Sequence, residues 1–455
     1  MKYANFKNAG RCRVNIGDYL QFIVTDYLLE LMKVPQWEIV YLGFDELADY
    51  NGEEVTFPFC YSIIDFVYEG RIAISDKIKP VFLAVTLSTV DKFMDVNEFL
   101  KDTFNKEYLT KYGPIGCRDE ITYNMLTEHD IPAYINGCMT AIFPRRKNLM
   151  GDKVMFVDAP ETVLPFVPRN LLNKCEFFSQ QYYFEEKDIY DYRKMFKFVK
   201  EQYEYYINTA RFIITSRLHV ALPLTAVGIP VVLTKDNVDG RFSFIEKYLP
   251  IYDKAHYSEI NWNPELPNLD EIRDLLITHA LTRLQFNNNE NNLFLMEQRL
   301  TNYFKSRTVI LKYKQSHCVT HNNGEQFDKY AAIYWDKNKP IKYAFWGISE
   351  NNYSYWKNHI QKNYPKAQLV TIFDSYRTGK FLNIPIQHPV KIAEYPDICI
   401  IVCSVGAAQA AKKMFMTLKC NQSRYCITSD CFISEYDVKK KLEGKDYDLY
   451  SDNGI

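Results

Sequence analysis

Short apolar runs alternate with helix-length amphipathic stretches along most of this 455-residue chain, and that alternation leaves few folds open. A strand reaches a parallel neighbour only through a long crossover, usually a helix, so strand and helix in repetition imply parallel sheets with helices on their faces. After Asn15-Ile16-Gly17-Asp18, the segment YLQFIVTDYLLELM repeats apolar residues at helical steps. Strand-like WEIVYL (37–42), EEVTFPFCY (53–61) and KPVFLAVTL (79–87) follow, then a helical stretch from about Val96 to Lys111. A second series runs through KVMFVDAP (153–160), CEFFSQQYYF (175–184), a Lys- and Tyr-rich helix near 187–208, and RFIITSRLHVALPLTAVGIPVVLT (211–234). It ends in a helical region near 269–305 interrupted by polar residues 287–292. Four shorter apolar runs, at 341–347, 367–375, 397–404 and 424–430, are separated by helix-length spacers and suit a third, small Rossmann-like sheet.

The expected fold class is therefore α/β. The pattern divides into an N-terminal lobe over 1–150, a second lobe over 151–310, a linker over 311–335 marked by the polar SHCVTHNNGEQ, and a small Rossmann-like domain over 336–455. At roughly 150 residues per domain the length agrees with about three. With 55 Lys+Arg against 56 Asp+Glu the net charge is −1, and the basic runs Arg145-Arg146-Lys147 and Lys439-Lys440-Lys441 are short. Nothing there attracts phosphate backbones or anionic lipid at long range, so a nucleic-acid or membrane-surface partner is not expected. No apolar run approaches the roughly 20 residues needed to cross a bilayer, and residues 1–20 lack an apolar leader; the expectation is a cytoplasmic protein without a transmembrane segment. The eleven cysteines show no paired CxxC spacing, so reduced thiols are expected rather than a zinc site. Self-association into a homo-oligomer is left open.

Four segments hold residues able to do chemistry. Thr215-Ser216-Arg217-Leu218-His219 stands where a strand-like run gives way to a helix, and open α/β sheets bind ligands at such strand ends, beside helix N-termini that favour anions. Arg217 offers bidentate recognition of carboxylate or phosphate, and His219 can move a proton near neutral pH. An arginine bridging domains and a histidine capping a helix is the plain alternative. Gly116-Cys117-Arg118-Asp119 precedes a helix that Asp119 can cap, with Arg118 either directed into a cleft or paired with Asp119 at the surface. Asn15, Gly17 and Asp18, with Gln21, offer a tight turn and a carboxylate that either caps a helix or faces a ligand. Arg241, in Asp239-Gly240-Arg241-Phe242-Ser243, is a second anion contact or part of an exposed turn.

Taken together, NIGD (15–18), GCRDEITYNMLTEHDI (116–131), ARFIITSRLHVALPLTAVGIPVVL (210–233) and DGRFSFIEKYL (239–249) resemble the polysaccharide pyruvyl transferase family in order and spacing, over roughly residues 1 to 300. The resemblance implies two Rossmann-like lobes in a GT-B-like arrangement, the first on the acceptor side and the second on the donor side, plus the additional C-terminal domain. It further implies phosphoenolpyruvate as donor substrate, no cofactor, and a glycan acceptor on a surface polysaccharide or its precursor, which receives pyruvate as a ketal. Carried over residue by residue, Arg217, Leu218, Arg118 and Arg241 would hold the donor, His219 and Asp18 would be catalytic, and Asn15 and Gly17 would line the acceptor side. No metal is expected, since arginines can stabilise the developing charge. Two other readings stay open. A GT-B glycosyltransferase using a nucleotide sugar is disfavoured because no two glutamates between Val154 and Pro250 recur at the spacing many such enzymes show. A non-catalytic glycan-binding protein is favoured by VTFPFCYSIIDF (55–66), which stands where the family often has a glycine-rich turn. In the last domain neither WGISENN nor SVGAAQA satisfies GxGxxG, so cofactor binding there is not expected.

Overall fold

A computed structural model describes residues 2–8, 13–87, 95–147, 151–236, 238, 240–285, 290–312, 323–429 and 431–443. The chain is mixed α/β and forms two compact units, one of Met1–Ser316 with Ser434–Ile455, the other of His317–Ile433.

The larger unit contains two parallel sheets. In the first, the strands run in the order Ile39–Gly43, Lys2–Asn8, Val55–Phe59, Ile78–Phe82, every pair parallel. The second has the order Cys175–Phe178, Lys153–Val157, Ala210–Thr215, Val231–Thr234, Ile251–Tyr252, Leu311–Lys312, again all parallel. Helices cover both faces of such sheets, which is why Val154–Val157, Phe212–Thr215 and Val231–Thr234 are buried without alternation. The expected lobes over 1–150 and 151–310 thus each carry a sheet, the second completed by Leu311–Lys312 from the expected linker, yet they lie in one unit with one continuous apolar core running from Ala4 to Phe304. A short antiparallel ladder ties them: Arg13–Asn15 pairs with Gln181–Tyr183, and the Ile16 N–H donates to the Gln180 carbonyl at 2.9 Å. The run CEFFSQQYYF therefore holds two strands, the first extending the second sheet and the second gripping the N-terminal segment. The helix expected near 96–111 likewise breaks in two, because Asp102 ends Val96–Lys101 and caps Thr103–Lys111.

The smaller unit has the strand order Gly379–Phe381, Ile384–Gln387, Ala367–Phe373, Ile341–Trp346, Cys399–Val402, Tyr425–Ile427, parallel except for the hairpin at its first edge. Side chains alternate across a strand, and Ile341–Trp346 sends Tyr343 and Phe345 into one core and Ala344 and Trp346 into another. This unit ends at Ile433, short of the expected 455, because the helix Glu435–Leu442 belongs with the larger unit. Lys441 secures it there: its ammonium donates to the carbonyls of Leu164, Pro165 and Val167 at 2.6, 3.0 and 2.8 Å. A truncation near residue 330 therefore removes a packed helix from the larger unit as well as the smaller sheet. Most of the polar 316–326 stretch, Asp239 and the polar residues 287–289 lie outside the described residues.

Candidate functional site

Strand Lys153–Val157 has Cys175–Phe178 on one side and Ala210–Thr215 on the other, so the chain leaves it toward one edge and returns on the opposite side. The carboxyl ends of 153–157 and 210–215 form the topological switch point of the sheet, where open α/β folds leave a crevice. Asp158 emerges from one strand, Ser216 and Arg217 from the other.

Asp158 organises this point. Its side chain is 1% exposed and its backbone sits at φ +46°, a left-handed conformation an aspartate tolerates at some cost. Its carbonyl accepts the Ser216 hydroxyl at 2.7 Å, and its Oδ2 accepts the Arg217 Nε–H at 2.7 Å and the Gln180 N–H at 3.1 Å. The ion pair fixes Arg217 by one edge of its guanidinium, with 26% of the side chain still exposed. Arg217 is the N-cap of the helix Leu218–Ala226 but makes no side-chain cap, and among the described residues the first-turn N–H groups of Leu218 and His219 have no hydrogen-bond acceptor. The Leu218 side chain packs against the core, so its backbone is what it offers a ligand.

His219 is held from several sides. Its Nδ1 lies 3.8 Å from Asp18 Oδ1, too long for a hydrogen bond, and its Nε2 is buried without a partner among the described residues. The helix Ile16–Leu31 meets it through Gly17: a Cβ on Gly17 would stand 2.8 Å from His219 Cβ, so only glycine fits. Asn15 caps that helix, its Oδ1 accepting the Gly17 N–H at 3.2 Å while its Nδ2 donates to Asp18 Oδ1 at 3.3 Å. Burial, followed by the nearby Arg118 and Arg241 cations, lowers the His219 pKa to about 3, so the imidazole is neutral at pH 7. Gly17→Ala is expected to push His219 and the Asn15 turn apart, at a stability cost of about 1–3 kcal/mol, typical of overpacking. Thermal unfolding of the variant measures this, and an unchanged midpoint would show that the close approach is not needed.

Arg118 and Asp119 are both buried, which excludes the surface pair considered from sequence. Asp119 caps the helix Glu120–Glu128, accepting the Thr122 N–H at 2.8 Å and the Thr86 hydroxyl at 2.6 Å. Arg118 Nη1 donates to Gln21 Oε1 at 3.0 Å, and its Nε is buried without a partner among the described residues. The Gly240–Phe242 turn docks on that helix, the Glu120 N–H donating to Ser243 Oγ at 3.1 Å and Gly240 lying so close to Ile121 that a Cβ would collide with it, and from there the Arg241 charge reaches His219.

No protein-family model matches this chain, and no curated protein does. The larger unit thus brings His219 together with Asp18, Gly17, Arg118 and Arg241 through direct contact or charge, while Arg217 stands beside it, engaged by Asp158. Three supporting residues escaped the sequence reading. Asp158 was legible, since it follows the strand-like run KVMFV as Arg217 follows FIIT; Gln180 and Tyr203, whose hydroxyl donates to the His219 carbonyl at 2.7 Å, lie far away in sequence and carried no local signal. Among the described residues no cluster of three or more His, Cys, Asp or Glu side chains is arranged to hold a metal, and no helix is long and apolar enough to cross a membrane. A separate cavity of about 920 Å³, lined by Pro80, Tyr112, Pro114, Arg283 and Phe294 among others, contains none of these residues. Its arginine is already committed to the Pro114 carbonyl and Glu297.

Proposed function

We propose that this chain is a transferase of the polysaccharide pyruvyl transferase kind, moving the pyruvyl group of phosphoenolpyruvate onto two hydroxyls of a sugar, in a surface polysaccharide or its precursor, as a cyclic ketal. In this reading the two parallel sheets serve as GT-B-like lobes, the first with Asn15 and Gly17 on the acceptor side and the second with Arg217 and Leu218 on the donor side. The observation that carries it is the gathering of Arg118 and Arg241 around His219, beside Arg217 and an uncapped helix start. A buried polar group without a partner costs about 1–3 kcal/mol, and among the described residues both Arg118 Nε and His219 Nε2 stand in that state; a small, multiply charged anion relieves both.

Phosphoenolpyruvate presents a phosphate, a carboxylate and a nucleophilic methylene carbon. The arginines bind the two anionic groups, and His219 delivers a proton to the methylene carbon, which makes C2 electrophilic. A sugar hydroxyl adds at C2 and gives up its proton, for which Asp18, 3.8 Å from the imidazole, is the candidate acceptor. The C2–O bond to the phosphate breaks, inorganic phosphate leaves, and the second hydroxyl closes the ketal. The two hydroxyl protons account for the new methyl hydrogen and for the proton leaving with phosphate.

The test is release of inorganic phosphate from phosphoenolpyruvate in the presence of a panel of sugar acceptors, with the ketal identified by mass. Acceptor-dependent release is the expected result. Turnover of a nucleotide sugar instead would move the chain to the glycosyltransferases, and binding of glycans with neither reaction would make it a glycan-binding protein.

A further inference from the structure

Helix Leu218–Ala226 carries a proline in its interior, Pro223, four residues after His219. In a regular helix the N–H at 223 would donate to the His219 carbonyl; proline has no N–H, so that carbonyl loses its helical partner. Tyr203, on the neighbouring helix Tyr192–Thr209, fills the vacancy: its hydroxyl donates to the His219 carbonyl at 2.7 Å. The same hydroxyl lies 3.0 Å from Gln180 Oε1. One hydroxyl hydrogen cannot serve two acceptors, so the shorter contact is the donated one. Gln180 in turn receives the Ile16 N–H through its carbonyl, which ties this chain of bonds to the helix bearing Gly17 and Asp18.

We infer that Tyr203 is a positioning residue for His219, holding the backbone carbonyl that Pro223 leaves open and so fixing the imidazole against Gly17 and Asp18. This rests on the reading that His219 acts on the ligand, since only then does its placement set a rate. Burial, with Asp158 and Asp18 nearby, keeps the Tyr203 hydroxyl protonated and therefore a donor. The arrangement is also separable by substitution. Pro223→Ala restores a backbone N–H aimed at the His219 carbonyl, and a carbonyl has two lone pairs, so helix and tyrosine can share it.

The experiment is a double-mutant cycle on the full-length protein, with two readouts. The first is carbethoxylation of His219 by diethyl pyrocarbonate, followed by peptide mass spectrometry with no substrate present. The second is turnover of phosphoenolpyruvate. Tyr203→Phe, which removes one oxygen atom, is expected to change the carbethoxylation rate and lower turnover by roughly two- to tenfold with the Michaelis constant for the donor unchanged, the loss of one hydrogen bond. In the Pro223→Ala background the same Tyr203→Phe substitution is expected to change neither. An equal effect of Tyr203→Phe in both backgrounds, or none in either, overturns the inference. If Tyr203→Phe does not fold, folding of the Tyr203→Phe/Pro223→Ala double variant supports the inference and its equal failure overturns it. The labelling needs no donor: if the wild type turns over no phosphoenolpyruvate the proposed function falls, while the labelling cycle still decides the role of Tyr203.

Discussion

His219→Gln is expected to lower turnover by about 10²–10⁴-fold, the usual contribution of a positioned acid or base, while donor affinity falls far less. Glutamine keeps a polar group of similar size but carries no transferable proton. The free protein has His219 neutral at pH 7, with a pKa lowered to about 3 by burial, then by Arg118 and Arg241. A neutral imidazole cannot deliver a proton to the donor. The charged groups facing it from the packed elements are Asp18, Arg118 and Arg241, with Arg217 and Asp158 beside them. An anion bound by the arginines offsets the two smaller causes of the shift while burial, the largest, remains, so donor binding raises the pKa and at pH 7 should take up a fraction of a proton. Calorimetry in buffers of different ionisation enthalpy reads this directly, and the uptake should vanish in His219→Gln. The sign for stability is the reverse of a paired histidine. Below about pH 6.5 the unfolded state takes a proton that the folded state declines until near pH 3, so acid weakens the free protein over that window, and the substitution flattens the slope. A kcat equal to wild type across the pH range would remove His219 from the chemistry.

Arg217→Ala is the second large effect. Losing one member of a charge-assisted contact to a desolvated anion costs about 1.5–3 kcal/mol, roughly ten- to 150-fold in affinity. The substitution also strands Asp158, 1% exposed, without its counter-charge. Removing one partner of a fully buried pair costs about 3–5 kcal/mol of stability, and less here because Arg217 keeps 26% exposure. The two effects separate in Arg217→Ala/Asp158→Asn, which removes the stranded charge: stability should recover and donor affinity should not. Arg217→Lys is expected to restore only part of the affinity, since the ammonium keeps the charge but lacks the planar fork. Calorimetric titration with phosphoenolpyruvate, beside thermal unfolding, checks all three variants. Equal affinity in wild type and Arg217→Ala would take Arg217 out of the donor site.

Much of this architecture was legible in the sequence because the central strands of the larger unit's two sheets are buried on two faces. A strand with no solvent side needs an uninterrupted apolar run, and VMFV and FIIT are unmistakable. The same rule that singled out Arg217 at a strand end points to Asp158, one residue beyond the other strand of the switch point. What local pattern could not reveal depends on distant contacts. Gln181–Tyr183 is a strand of its own because Arg13–Asn15 offers it a partner, and Glu435–Leu442 leaves the last domain because Lys441 reaches three carbonyls near 164–167. Gly17 read as a turn residue, yet its need for glycine comes from His219, some two hundred positions away, pressing on it. Pro223 read as part of an apolar helix, and its consequence appears only with Tyr203 beside it.

The central claim is that Arg118, Arg217, Arg241 and His219 form one anion site fitted to phosphoenolpyruvate. Its most direct test is calorimetric titration of the full-length wild type with phosphoenolpyruvate at pH 7, repeated with Arg118→Ala and with inorganic phosphate as competitor. The predicted result is saturable binding at one site per chain, accompanied by proton uptake, displaced by phosphate and weakened in the variant. Absence of binding by the wild type, or binding that Arg118→Ala leaves unchanged, would contradict it.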